Sequence, residues 1–191
     1  TVGPMRAAKA FIEELKSRDL FAQTDRVKVE LCGSLGQTGK GHGTGKAVIL
    51  GLLGHDPETV DVDRVEQMLS EIEQSQKLNL NGEKLIKFPR EGAIVFHRRK
   101  TLKLHSNGLS FFAKQGDELL FSQTYYSIGG GFIIKEEDFE DEKATALKHA
   151  EKPVPYPFET AAELLGHCKE TGMRISTLML KNEQVFQSEQ E

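Results

Sequence analysis

Three stretches of the sequence gather residue types that can do chemistry. The first, GSLGQTGKGHGTGKA, places glycine at 33, 36, 39, 41, 43 and 45 and sets His42 in the densest part of the run. An imidazole titrates near neutral pH, and glycines on both sides let the backbone approach a small ligand without side-chain collision. The loop reads either as an acid/base or hydrogen-bonding imidazole beside a small ligand, or as a turn whose histidine faces solvent. Lys40 and Thr44 are its polar companions. It is not a phosphate loop: in the spacing from Gly36, Gly41 is followed by His42 where a P-loop has lysine, and no register gives G-x-G-x-x-G. Glycine-exposed amides ahead of a helix can still hold a carboxylate.

The second stretch is KLHSNGLSFFA. Asn107-Gly108 is ordinarily a type I′ hairpin turn. The other reading pairs His105 with the amide two residues on, at a strand end, to bind a carboxylate or an amine. The third is YYSIGGGFII. Three glycines between apolar runs form a bulge or admit a close backbone, or else an amide nest for an anion.

The elements that would position these residues follow from periodicity. Pro4 suits a first turn, and Met5, Ala8, Phe11, Ile12 and Leu15 make an amphipathic helix. RVKVELCG alternates as a half-buried strand, with the glycine loop at its C-terminal end. KAVILGLLG reads as a short, deeply buried helix closed by Gly54. DVDRVEQMLSEIEQSQ carries Val65, Met68, Leu69 and Ile72 on one stripe of a surface helix, and NLNG ends it as a turn. From Lys84 to about Lys135 a period of two predicts an antiparallel meander with a turn at Gln115-Gly116-Asp117. The expected organisation is an α+β core over 1–135, an exposed acidic and proline-rich connection over 136–157, and C-terminal helices over 158–191.

With 38% hydrophobic residues among 191, the chain is long enough for a real core. A net charge of −4 and a pI near 5.9 argue against nucleic acid as a partner. No apolar run reaches the length of a spanning helix and no cleavable leader is seen, so a soluble cytoplasmic protein, off the membrane, is expected. Cys32 and Cys168 are the two cysteines, too few for a disulfide framework or a three-cysteine cluster, and they read as core residues.

In this order, TVGPMRAAKAFI, GSLGQTGKGHGTGKAVILGLLG, LKLHSNGLSFFA, YYSIGGGFI and PYPFETAAELL resemble the beta chain or beta domain of bacterial iron–sulfur L-serine dehydratases. The resemblance runs over essentially the whole chain. It implies conversion of L-serine to pyruvate and ammonia without pyridoxal phosphate, with a [4Fe–4S] cluster whose Lewis-acidic iron polarises the departing hydroxyl. It places that cluster in an alpha domain or chain that this sequence lacks, so that the metal ligands lie elsewhere. It also implies a homodimer, and a segment of the type Gly-Pro-Ser-Ser-Ser-His running into TVGPM. Carried over by motif, His42 is the catalytic imidazole and Asn107 a substrate contact, with Lys40, Thr44 and His105 as weaker companions. The family reads His-Pro-Asn-Gly where this chain has Ser106. These beta domains are also similar to the allosteric substrate-binding domain of D-3-phosphoglycerate dehydrogenase, which implies the same α+β architecture. That similarity also keeps open a second reading, a regulatory small-acid-binding or dimerisation module.

Overall fold

The structure is a computed structural model that describes residues 1–141 and 154–185. Most of the acidic connection lies outside the described residues. The chain divides into two compact units, Thr1–Phe139 and Glu140–Glu191.

In the first unit, α1 (Val2–Ser17) precedes β1 (Arg26–Leu31), followed by α2 (Ser34–Thr38), α3 (Thr44–Leu52) and α4 (Val65–Ser75). Then come β2 (Lys77–Leu80), β3 (Lys84–Lys87), β4 (Ile94–Phe96), β5 (Gly108–Gln115), β6 (Glu118–Gly129) and β7 (Phe132–Lys135). They form one seven-stranded mixed sheet in the order β2-β3-β1-β5-β6-β7, with β4 also beside β1. The α+β class with a mixed sheet is therefore as expected.

β1 is the spine. Val27, Val29 and Leu31 are fully buried and alternate with half-buried Arg26, Lys28 and Glu30. On one side β1 runs antiparallel to β5, from Arg26 opposite Lys114 to Leu31 opposite Leu109. On the other it runs parallel to β3 and β4. The expected antiparallel meander from Lys84 is thus corrected: only β5, β6 and β7 form one, because the β2–β3 hairpin after α4 turns the chain so that β3 and then β4 run parallel to β1. β2 is an addition that periodicity missed, since Lys77 and Asn79 are exposed and only Leu78 and Leu80 face the core. The turn itself is where the sequence put it: Asn81 and Gly82 have φ of 53° and 70°, and Glu83 N–H donates to Leu80 O at 3.0 Å. The 115–117 turn also forms, closing β5 onto β6 through Gly116 at φ 58°.

The stripe on α1 packs onto the buried sheet face. Phe11 stacks on Phe111 at 5.1 Å and on Phe121 at 5.7 Å, and Phe111 meets Tyr125 edge-on at 5.8 Å. Such aromatic contacts add to area burial by about 0.5–1.5 kcal/mol each. α3 is buried as predicted but begins at Thr44, and it lies tight against α1: a Cβ on Gly51 would stand 2.3 Å from Met5 O and 2.7 Å from the Ala8 Cβ. In the YYSIGGGFII stretch the bulge reading holds, as the β6–β7 register shifts between Ser127 and Gly129. Val2 of α1 packs where Gly131 has no side chain, and Arg6 donates to Gly131 O at 3.2 Å.

Where β1 leaves the sheet, Glu30 collects cations. Its carboxylate, 14% exposed, accepts from Lys28 at 2.8 Å and Lys100 at 3.1 Å, and meets His97 Nε2 at 3.0 Å. The Lys28 hydrogen bond, with those of Lys100 and His97, holds its pKa at about 2 against the desolvation that would raise it. β1 is thereby tied to the segment that follows β4.

In the second unit, α5 (Ala161–Thr171) starts at a capping box in which Thr160 and Glu163 bond reciprocally, and α6 (Ile175–Glu183) buries Leu178. Asn182 exchanges bonds with the Tyr156 backbone at 3.0 and 2.8 Å. Cys32 is a core residue as expected. Cys168 is not: it is half-buried on α5, whose buried set is empty because that amphipathic pattern is weak. Among the described residues no helix is long and apolar enough to cross a membrane.

Two stability predictions follow from this packing. Gly51→Val lowers unfolding free energy by about 2–3 kcal/mol in urea titration, since the α1 backbone cannot retreat. Glu30→Gln costs about 2 kcal/mol at pH 7. Because the folded pKa is depressed, that contribution is complete above the unfolded value near 4.5 and disappears as pH falls toward 2, so the two stability curves converge across that window.

Candidate functional site

At the end of β1 the backbone continues its pairing into the glycine loop. Cys32 N–H donates to Gly108 O at 2.9 Å, Gly33 N–H to Lys100 O at 2.7 Å, and Ser34 N–H to Ser106 O at 3.0 Å. The glycine run, expected to be one irregular connection, therefore contains a helix, α2, whose start is fastened to the 97–107 loop.

Its glycines divide into two kinds. A Cβ on Gly33 would lie 1.9 Å from Ser106 O, one on Gly36 2.2 Å from His97 O, and one on Gly39 2.0 Å from Leu35 O. These three are demanded by close backbone packing. Around His42 the opposite holds: a Cβ on Gly41 would meet only Thr38 O at 3.6 Å, and on Gly43 nothing within 4 Å. Gly43 instead has φ 68°, the left-handed step that turns the chain into α3.

His42 sits in this turn with its side chain exposed. Its N–H is held by Thr38 O at 3.2 Å, and its carbonyl accepts from the Thr1 hydroxyl at 2.8 Å. Backbone is fixed and imidazole left free, the condition for a side chain that must meet a ligand from outside. Thr44 is 1% exposed: it opens α3, donates its N–H to Gly39 O at 2.8 Å and fills the space beside Gly39. Lys40 turns the other way, with Nζ 5.6 Å from the centre of the Phe96 ring.

His105 and Asn107 stand at the opposite end of α2, about 7 Å of helix rise from the His42 turn. The Asn107-Gly108 hairpin turn does not form. Neither residue has positive φ, and Gly108 opens β5 opposite Tyr126, because 98–107 is a long loop rather than a strand. Gly108 is needed instead for Leu102, whose Cδ1 would be 2.6 Å from an added Cβ. Asn107 N–H donates to His105 Nδ1 at 3.1 Å. A neutral His105 ring then carries its proton on Nε2. Asn107 is half-buried, and its backbone carbonyl accepts from Ser127 N–H at 2.9 Å, which anchors it to β6. Beside it, Tyr126 donates to Glu136 at 2.9 Å and packs edge-on to Phe139 at 5.2 Å. Burial, helped by that bond, pushes the phenol up to about 12, so it remains protonated.

Sequence reasoning missed the Glu30, His97 and Lys100 cluster. Lys28 and Glu30 look like ordinary solvent-face strand residues, and only the pairing of β4 with β1 brings His97 and Lys100 to them.

The family described as serine dehydratase beta chain matches residues 1–138. The chain is 44% identical over 192 residues to L-serine dehydratase 1 of Escherichia coli K12, covering all of this chain and 41% of the relative. It is 44% identical over 197 residues to the L-serine dehydratase of Streptomyces coelicolor, covering all of this chain and 42% of that protein. To the L-serine dehydratase of Helicobacter pylori it is 32% identical over 189 residues, covering 98% and 40%. The chain thus spans about two fifths of the length of these relatives. With its fold and glycine-loop histidine placed, the chain belongs to the serine dehydratase beta chain family.

Proposed function

We propose that the chain is the beta part of an L-serine ammonia-lyase, and that His42 handles the proton of the reaction. The observation that carries this is an exposed imidazole on a fixed backbone between two glycines that leave space open, in a chain whose relatives are named L-serine dehydratases. The chemistry is β-elimination. A base removes the α-proton of L-serine while the β-hydroxyl departs as water, and the resulting enamine tautomerises to an imine that water hydrolyses to pyruvate and ammonia. His42 is the group here suited to hold that proton. Asn107, buttressed through Ser127 and the His105 ring, offers an amide to the carboxylate or amine of serine. Thr44 serves by shaping the turn, and Lys40 contributes charge beside it.

The same reading includes a [4Fe–4S] cluster, and the residues of this chain do not fit one. The thiols number two, burial pushes Cys32 up and so disfavours the thiolate a cluster needs, and Cys168 belongs to the other unit. Among the described residues no three His, Cys, Asp or Glu side chains gather as a metal site. The cluster therefore belongs, in this proposal, to an alpha domain or chain, and the division of this chain into a core over 1–135, a connection and helices over 158–191 leads toward it. A homodimer in the cytoplasm completes the reading.

Two measurements test it. His42→Asn in the complete enzyme lowers kcat about 10²- to 10⁴-fold with the cluster's visible absorption and the assembly unchanged; unaltered turnover would assign the loop to regulation or assembly instead. This chain alone, in iron-free buffer, forms no pyruvate from L-serine, and formation appears on anaerobic reconstitution with the alpha partner, iron and sulfide. Pyruvate from the isolated chain would overturn the placement of the cluster.

A further inference from the structure

A cavity of about 700 Å³ opens between α3, α4 and the 88–96 segment, within the size range of ligand-holding clefts. Of the residues named at the candidate site, Lys40 lines it, and His42, Thr44, His105 and Asn107 do not. Its floor is apolar, with Ile49, Leu69, Ile72, Phe88 and Phe96. Gly92 through Phe96 all line it in succession. Side chains of a strand alternate between faces, so lining by all three residues of β4, Ile94, Val95 and Phe96, means that this wall is a strand edge.

That edge is unpaired. Val29 N–H donates to Ala93 O at 2.7 Å and His97 N–H to Leu31 O at 2.9 Å, so the odd-numbered positions turn their backbone groups to β1. Ile94 and Phe96 turn theirs the other way, and among the described residues no hydrogen bond reaches them from that side. β2, which would occupy the next place in the sheet, pairs only with β3, from Lys77 opposite Lys87 to Leu80 opposite Lys84. The sheet therefore has a vacant place beside β4, roofed by α4. Two ion pairs hold α4 there, Lys46 to Glu66 at 2.5 Å and Arg90 to Glu73 at 3.0 Å.

Two charges at the cleft have no ionic partner among the described residues, and they lie at opposite ends. Lys40 is at the Phe96 end, over that ring, and Glu91 precedes Gly92 at the other. The three residues of β4 alone span about 10 Å. A small zwitterion cannot reach both, whereas an extended peptide of four or five residues can.

We propose that this cleft takes an extended polypeptide segment as an added strand, antiparallel to β4, with an acidic residue toward Lys40 and a basic residue toward Glu91. Backbone bonds to Ile94 and Phe96 supply affinity, and alternate apolar side chains on the floor supply specificity, as in other strand-addition sites. The antiparallel sense is the more stable ladder. It puts the acidic residue first in the segment.

The test is isothermal titration of this chain with acetyl-Glu-Val-Thr-Val-Lys-amide. Saturable binding is expected, weakened at least tenfold in three comparisons: reversal to Lys-Val-Thr-Val-Glu, methylation of the peptide's amide nitrogens, and Ser70→Trp, which fills the cleft from an exposed position on α4. Far-UV circular dichroism establishes that the variant is folded. Absence of saturable binding, or equal binding by the methylated peptide, the reversed peptide or the Ser70→Trp protein, would overturn the proposal.

Discussion

Everything near the candidate site depends on how the chain satisfies its backbone where β1 ends. A strand buried on one face and flanked on both edges cannot simply stop, because its last polar groups would be left in the interior without partners. Here the next three amides, of Cys32, Gly33 and Ser34, find the carbonyls of Gly108, Lys100 and Ser106. Those acceptors come from a loop some seventy residues later in the chain. The same stitch closes the sheet, starts α2 and fixes the distance between the two halves of the candidate site. Glu30 reinforces it through Lys28, His97 and Lys100, the last two from that same loop.

This constraint changes the meaning of the glycine run. Composition suggests a uniformly permissive loop, yet the first three glycines are there because backbone oxygen atoms, of the 97–107 loop for Gly33 and Gly36 and of Leu35 for Gly39, occupy the space a Cβ would take. Only around His42 does glycine leave room open. The run is a rigid stem followed by a free tip, and the imidazole sits on the tip. Backbone held in this way beneath an exposed ring limits where the ring can go, because its position is set by the stem.

Much of this was legible from the residues. The α1 stripe, the alternation of β1, the burial of α3 and the turns at Asn81-Gly82 and Gly116 are local patterns with local causes, and they appear where periodicity and turn chemistry put them. What could not be read depends on pairing between distant segments. Nothing in KLIKF or AIVFH distinguishes a strand that joins β1 in parallel from one in a meander. Asn107-Gly108 carries the strongest short hairpin signal in its region, but the preceding ten residues do not make a strand for it to turn back on. His42 stood out because a histidine among glycines is rare in composition. Glu30 did not, because a carboxylate in an alternating strand has the same sequence signature whether it faces water or two lysines and a histidine.

The vacant edge beside β4 has the same origin as the site. β3 and β4 are one excursion of chain alongside β1, interrupted at 88–93, and β2 follows only its first half. Had β2 begun before Lys77, β4 would be an interior strand and no cleft would exist, since the antiparallel register puts Lys77, opposite Lys87, at the end nearer β4. Those residues belong instead to α4, whose left-handed cap at Gln76 (φ 56°) delays β2 to Lys77 and leaves it four residues long. A short edge strand is a usual guard against aggregation, and α4, pinned by Lys46 and Arg90, covers what the shortening exposes. The cover leaves a slot with backbone donors and acceptors on one wall and apolar side chains on the floor. A slot with those two features discriminates by chain direction and by side-chain alternation, so it selects an extended segment over a compact ligand of equal volume.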